Sequence, residues 1–353
     1  MTLVSLRPRR VKGTRRAKVI SSTPLRWDAH ACLPLHPSAS LEPLLRYHRA
    51  GVHYVSVNVG MDMNPLRQVM RTLAGFRASI SRHPDLTLAG SLSDLRASAA
   101  RGVMSVGFDL EGALPLLELE EMVDLYRALG VRQIHLAYNR NNSAASGCHD
   151  LDRGLTSLGE RLVNAMNRAG VIMDGAHMSA RACISAAEIS ATPIVISHAN
   201  PRALVEHERN VTDDQISSVV TRDGVVCVSG VNAFLGEDEP SAERLLDHIC
   251  YLAERWGAES VGVGLDVGFD EPEIDDTPPP PYDPQYWWPP RAGYGDGIKE
   301  IKYVQPELWS QLPDLLSARG MSPHEIDGVL GENMARVLHH VETYALSSAH
   351  PNT

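Results

Sequence analysis

This sequence is poor in the features that mark membrane insertion, disulfide stapling, nucleic-acid binding or dinucleotide binding. No run approaches the roughly 18 consecutive apolar residues that a membrane-spanning helix requires. The five cysteines, Cys32, Cys148, Cys183, Cys227 and Cys250, are odd in number, far apart and free of Cys-x-x-Cys pairs. That pattern argues against a disulfide framework and suits a reducing compartment, so a cytoplasmic location is expected. Basic residues are outnumbered by acidic ones, 33 to 43, for a net charge of −10, whereas a general nucleic-acid binder needs a basic face. No Gly-x-Gly-x-x-Gly follows the first strand-like segment, so the phosphate turn of a dinucleotide fold is missing. Acids are also absent from the first eighteen residues, which carry Arg7, Arg9, Arg10, Lys12, Arg15, Arg16 and Lys18. Arg15-Arg16 superficially suggests an export signal, but no apolar run of about 7 to 15 residues follows it. Residues 1–24 are expected to form a solvated basic arm.

What the chain has instead is alternation. Strand-like runs at 25–31, 54–60, 86–90, 104–111, 133–138, 171–177, 193–198, 225–230 and 260–266 are separated by amphipathic stretches such as Pro65–Arg82, Leu158–Ala169 and Ala242–Arg255. Glycines at 51, 102, 130, 170, 224 and 257 fall where a helix must turn back towards a sheet, as C-terminal helix caps do. Strands alternating with helices of this length imply βαβ units and a parallel sheet. A (β/α)8 barrel spanning 25–345 is expected, with a short tail at 346–353, and an open doubly wound sheet is the alternative. Nine candidates for eight barrel strands leave one over, and 86–90 is set aside because it ends in no chemically useful residue.

The strand ends carry the chemistry. Four runs finish in residues that bind divalent metals: Asp28-Ala-His30, Asp109-Leu-Glu111, Asp174-Gly-Ala-His177 and Ser197-His198, and a fifth finishes in Asp266. In a parallel barrel all C-terminal strand ends meet at one mouth. Imidazoles and carboxylates gathered there are what a hydrolytic zinc centre needs. A histidine at the end of one apolar strand is more often a satisfied polar group; two at successive strand ends favour ligation. Glu111 has two oxygens able to bridge two cations, with a surface ion pair as the alternative. Residues 270–297 are too proline-rich for a helix or central strand and are expected to loop over the mouth, with Trp287 and Trp288 as a lid, a subunit contact or plain surface packing. Residues 307–342 are helical by pattern and are expected to complete the outer layer of the barrel.

These motifs, together with His207-Glu-Arg209-Asn210-Val-Thr-Asp-Asp214, Gly262-Val-Gly-Leu-Asp266 and Gly331-Glu-Asn333-Met-Ala-Arg336-Val, resemble the membrane (renal) dipeptidase family in order and approximate spacing, over about residues 25 to 340. The resemblance implies a (β/α)8 barrel, two zinc ions, hydrolysis of dipeptides (often with a C-terminal D-residue) and a homodimer. It implies Glu111 as the bridging ligand, His177 and His198 on one metal, and His30 on the other. It implies Asp266 as the proton shuttle or the partner of the substrate ammonium, and Arg209 as the grip on the substrate carboxylate, a task suited to a planar guanidinium. Two positions depart from the family. Cys32 stands where it has aspartate, so either a thiolate is the ligand or the second zinc is short of one. Tyr138 stands where it has a histidine thought to steady the oxyanion; a phenol can also donate there, with wall packing as the alternative. The expected activity is attack of metal-activated water on a dipeptide. The alternatives are a hydrolase of another amide, such as an N-acyl amino acid or a lactam, and an inactive binding protein.

Overall fold

The computed structural model describes residues 23–294 and 301–349. The basic arm, apart from Thr23 and Pro24, lies outside these residues, as do the last three residues of the 270–297 loop and the end of the tail. Ten parallel strands are present among the described residues: β1 Trp27–Cys32, β2 Tyr54–Met61, β3 Leu86–Leu88, β4 Met104–Glu111, β5 Val131–His135, β6 Ile172–Asp174, β7 Val195–Ile196, β8 Val225–Val228, β9 Val261–Val263 and β10 Val267–Gly268. Eight of them close into a ring in the order β1-β2-β4-β5-β6-β7-β8-β9, sealed by β9 pairing with β1 at Val263 and Asp28. This is the expected (β/α)8 barrel.

β3, the strand set aside from the sequence, stays out of the ring. It pairs with the first half of β4 (Met104, Ser105, Val106), whose second half pairs with β5. β10 is a short return. β9 and β10 both pair with β1, at Asp28 and at Ala31 and Cys32, so residues 264–266 arch out between two contacts with one neighbour. That arch presents Asp266 beside His30, and the Asp266 backbone N–H donates to the His30 carbonyl at 3.1 Å.

The longer helices follow the amphipathic stretches except Ala180–Ile189, and two single turns, Asn232–Leu235 and Pro284–Trp287, also went unexpected, the second because proline is tolerated in the first turn of a helix. The buried face of Ala180–Ile189 is Ala182, Cys183, Ala186 and Ala187, and small residues give little apolar contrast with their neighbours. Gly130 and Gly170 close their helices with φ of 108° and 71°, a backbone that a Cβ disfavours. Gly224 behaves differently from expectation: Asp223 takes the left-handed turn (φ 60°), and a Cβ at Gly224 would lie 2.4 Å from the Ile194 carbonyl oxygen.

The C-terminal segment corrects a second expectation. Instead of completing the outer layer, the helix Asn333–Ala349 plugs the N-terminal end of the barrel. Met334, Val337, Leu338 and Val341 pack with Trp27, Tyr54, Ile172, Val195 and Val225 from the strand starts. Burying each such aliphatic side chain stabilises by roughly 1.5–3 kcal/mol, so the plug is a large part of the core. The Gly-Glu-Asn motif before it is a buckle. A Cβ at Gly331 would meet the Leu25 carbonyl oxygen at 2.4 Å. Glu332 accepts from the Leu25 backbone N–H at 2.8 Å and pairs with Arg96 at 2.7 Å. The buried Asn333 amide donates to the carbonyls of Ala258 and Val261, each at 2.8 Å. Asn333→Ala strands two buried carbonyls and is expected to lower unfolding stability by about 2 kcal/mol, measured by urea denaturation; an unchanged midpoint would remove the buckle from this account.

Candidate metal and substrate site

The strand ends meet as expected, although three of the chosen residues lie just beyond the strands. β6 stops at Asp174, β7 at Ile196 and β9 at Val263, leaving His177, His198 and Asp266 on the loops of the mouth. The reason is backbone geometry: His177 and Asp266 have φ of 65° and 61°, which no strand accommodates. These turns carry the side chains inward over the barrel axis.

Glu111 is the hub. One of its oxygens, Oε1, lies 2.9 Å from His177 Nε2, 3.4 Å from His198 Nε2 and 3.4 Å from His30 Nε2. Its other oxygen accepts from the amide of Asn58, on β2. His177 Nε2 and His198 Nε2 are 2.8 Å apart. Cys32 Sγ is 3.4 Å from His30 Nε2, and Asp266 Oδ1 is 3.7 Å from the same nitrogen. Three overlapping sets of donor atoms are compact enough to hold a cation: Glu111, His177 and His198; His30, Cys32 and Glu111; His30, His198 and Asp266. Every metal-ligating residue chosen from the sequence is therefore in one cluster, and Glu111 belongs to two of the sets.

The protonation pattern fits a cation. Asn139 donates its amide N–H to the Trp287 carbonyl at 3.1 Å, which turns its Oδ1 towards His177 Nδ1 at 2.7 Å. His177 Nδ1 must then carry the hydrogen, and burial, followed by the charge of Arg209, holds the ring's pKa well below its ordinary value. A neutral His177 with a protonated Nδ1 turns an unprotonated Nε2, which Arg209 Nη2 approaches at 3.3 Å, towards a carboxylate oxygen 2.9 Å away. An unprotonated imidazole nitrogen beside a carboxylate oxygen is a pair of donor atoms that a divalent cation can bind. Burial, with His30 next, likewise holds His198 low, and it lifts the Glu111 carboxyl to about 7. Around His30 burial opposes charge, but Asp109 and Glu111 outweigh it and raise the ring's pKa. A metal would take over the charge that the His30 proton supplies, and releasing protons is what metal binding to such ligands does. Cys32 borders the cavity, and burial pushes its thiol up to about 12, so it becomes a thiolate only beside a cation.

The remaining sequence candidates line the same cavity of about 920 Å³, namely Tyr138, Arg209 and Asp266. Arg209 is 2% exposed. Its Nη2 donates to the His198 carbonyl at 3.0 Å and lies 3.3 Å from His177 Nε2, and its guanidinium rests over the Phe234 ring. Among the described residues no carboxylate pairs with it within 4.0 Å. Tyr138 stacks on His177 with centroids 4.3 Å apart. Of the Trp287–Trp288 segment, Trp288 lines the cavity and is buried in a cluster with Tyr138, Phe234 and Tyr294.

Four supporting residues were given no role of their own by the sequence reading. Asn58 holds Glu111, Asn139 holds His177, and Asp109 lies 3.3 Å from His30 Nδ1. His135 spans the Leu110 carbonyl and Asp174, each at 2.9 Å. Asn58 and His135 had a visible signal, since each is polar inside a strand whose neighbours are apolar. Asn139 had none, because its role depends on the 270–297 loop.

Comparisons with known proteins give a family and a fold. The family described as membrane dipeptidase (peptidase family M19) matches residues 38–275. A protein called dipeptidase tcpJ, from Claviceps purpurea, is 28% identical over 245 residues, covering 67% of this chain and 51% of its own. The chain spans about half the length of that relative and of another from Schizosaccharomyces pombe, at 51% and 55%. Among solved structures, an amidohydrolase from Pseudomonas aeruginosa superposes with a TM-score of 0.76 at 22% identity, covering 90% of this chain and 96% of its own. A metallopeptidase from Rhodobacter sphaeroides, liganded with a phosphinate mimic of L-Ala-D-Ala, gives 0.70 at 19% identity, covering 90% and 99%. At these identities the structures speak to the barrel fold.

Replacing Cys32 by alanine is expected to cost about one equivalent of bound metal, and Glu111→Gln more than one, since it serves two donor sets. Elemental analysis of the purified protein reads both; full metal content in Cys32→Ala would take the thiol out of the ligand set.

Proposed function

The chain belongs to the membrane dipeptidase family, and on that footing we propose that it is a zinc-dependent dipeptidase holding two ions. His177, His198 and Glu111 would hold one, and His30, Cys32 and Glu111 the other. Imidazole, carboxylate and thiolate together suit zinc better than the oxygen-seeking magnesium or calcium. When bound, the ions supply positive charge that polarises a carbonyl and brings the pKa of water from 15.7 towards about 7.

One observation carries the reading: a buried guanidinium without a carboxylate partner among the described residues shares a cavity with the donor cluster. An unpaired buried charge is costly, and a substrate carboxylate would offset that cost. Arg209 would hold the C-terminal carboxylate, which sets the adjacent amide over Glu111 and the imidazoles. Asp266, whose carboxyl burial lifts to about 6, lies 3.7 Å from His30 Nε2 and would take a proton from the attacking water and return it to the leaving amine. Tyr138 would donate to the oxygen that gains charge. Dipeptides with a C-terminal D-residue belong in the proposed range, in line with the L-Ala-D-Ala mimic bound by the Rhodobacter relative. A homodimer is proposed with the same family in mind, to be read by analytical ultracentrifugation.

The size of the cavity carries a second reading. About 920 Å³ exceeds what a small dipeptide needs, and Met61, Met63, Phe234 and Ile301 give it apolar wall, so an N-acyl amino acid is the other candidate.

A panel of L,L- and L,D-dipeptides, their C-terminal amides and N-acyl amino acids separates these. Turnover of free dipeptides is expected, with the amides raising KM roughly a hundredfold, in keeping with about 3 kcal/mol for charge-assisted bonds. In Arg209→Met that gap between acid and amide should close. Turnover of N-acyl amino acids alone would overturn the dipeptidase reading.

A further inference from the structure

We propose that Trp288, in the 270–297 loop, is a positioning residue that forces Tyr138 to act as a hydrogen-bond donor into the site. The inference rests on the dipeptidase reading and deepens it, by making that loop part of the machinery that steadies the oxyanion.

The argument is one of hydrogen-bond inventory. An indole N–H can only donate. Trp288 Nε1 lies 3.1 Å from Tyr138 Oη, with both groups buried, so the phenol oxygen must accept that bond. Its single hydrogen remains to be spent, and among the described residues Oη has no second partner. Tyr138 lines the cavity with Glu111, His177 and Asp266, so the cavity is where that hydrogen can be given. The bond also polarises the phenol, because accepting one hydrogen bond strengthens the next one donated.

Geometry confines the ring as well. One face of Tyr138 stacks on His177, with centroids 4.3 Å apart and planes inclined by 30°, and Trp288 approaches it edge-on at 5.9 Å. The Tyr138 backbone N–H donates to Asp62 Oδ2 at 3.0 Å. The loop in turn is tied down on both sides of the tryptophan: the Trp287 carbonyl accepts from Asn139 at 3.1 Å, and Tyr294 Oη lies 3.0 Å from His149 Nε2. The phenol thus has a fixed ring, an oxygen already engaged by a donor, and one hydrogen left to give. This also bears on how a tyrosine can serve where the resembling family has histidine: the indole bond orients the phenol oxygen.

The test has two readouts. In uniformly 15N-labelled protein, the indole N–H signal that disappears in Trp288→Phe should shift in Tyr138→Phe; an unmoved signal means the bond is absent and overturns the proposal whatever the activity. Kinetics on the best dipeptide then form a double-mutant cycle. Tyr138→Phe should lower kcat about a hundredfold with little change in KM. Trp288→Phe should lower kcat roughly fivefold to tenfold in the wild-type background and leave it unchanged when Tyr138 is already phenylalanine. Equal losses in both backgrounds, or a rise in KM alone, would make Trp288 a mere wall and refute the positioning role. A wild-type protein that binds zinc yet cleaves no dipeptide would overturn the functional reading itself; with the indole shift still present, it would do so without touching the bond.

Discussion

Glu111 is a carboxylate withdrawn from water and surrounded by imidazoles, and the rest of the mouth is built to make that tolerable. A buried carboxylate costs several kcal/mol unless charge and hydrogen bonds compensate it. Asn58 takes one oxygen and three imidazole nitrogens converge on the other. His177 turns an unprotonated nitrogen towards the carboxylate, and burial lifts the carboxyl to about 7. The donor atoms around it are compact enough to hold a cation. Fold and ligand are coupled here in a direct sense: the scaffold holds like-polarity groups closer than they would stay unaided.

The scaffold can do this because it is closed and plugged. Eight parallel strands leave no edge, and the C-terminal helix fills the far end of the barrel with Met334, Val337, Leu338 and Val341. Rigidity at that end lets the loops at the other end adopt left-handed turns at His177 and Asp266, conformations that cost energy for non-glycine residues. Those turns aim the side chains inward. Asn139, also left-handed at φ 56°, joins the 270–297 loop to His177 through a single amide.

Much of this was readable from the chain. Every strand of the ring overlaps a strand-like run of the sequence, with β1, β2 and β5 extending one or two residues past theirs, and the surplus run at 86–90 is the one that stays outside the ring. The five metal-ligating candidates come together because each stands at or just past the end of an apolar run, and parallel topology carries all such ends to one rim. The omissions share a cause. Helix Ala180–Ile189 packs with alanines and one cysteine, which leave a faint pattern. The C-terminal plug has the same amphipathic pattern as an outer helix, and periodicity does not say which layer an apolar face will meet. Asn58, Asp109 and His135 matter through partners on neighbouring strands, and register is a property of the assembled sheet.

By itself, then, the sequence determined the alternation of strands and helices and the kinds of donor at the strand ends, since both follow from local pattern and side-chain chemistry. Tertiary structure alone decided which nitrogen of His177 faces Glu111, which oxygen of Glu111 is shared, and that Trp288 engages the oxygen of Tyr138. Those outcomes depend on hydrogen bonds between residues as much as 150 positions apart, and no local pattern encodes a contact that exists only once the barrel has closed.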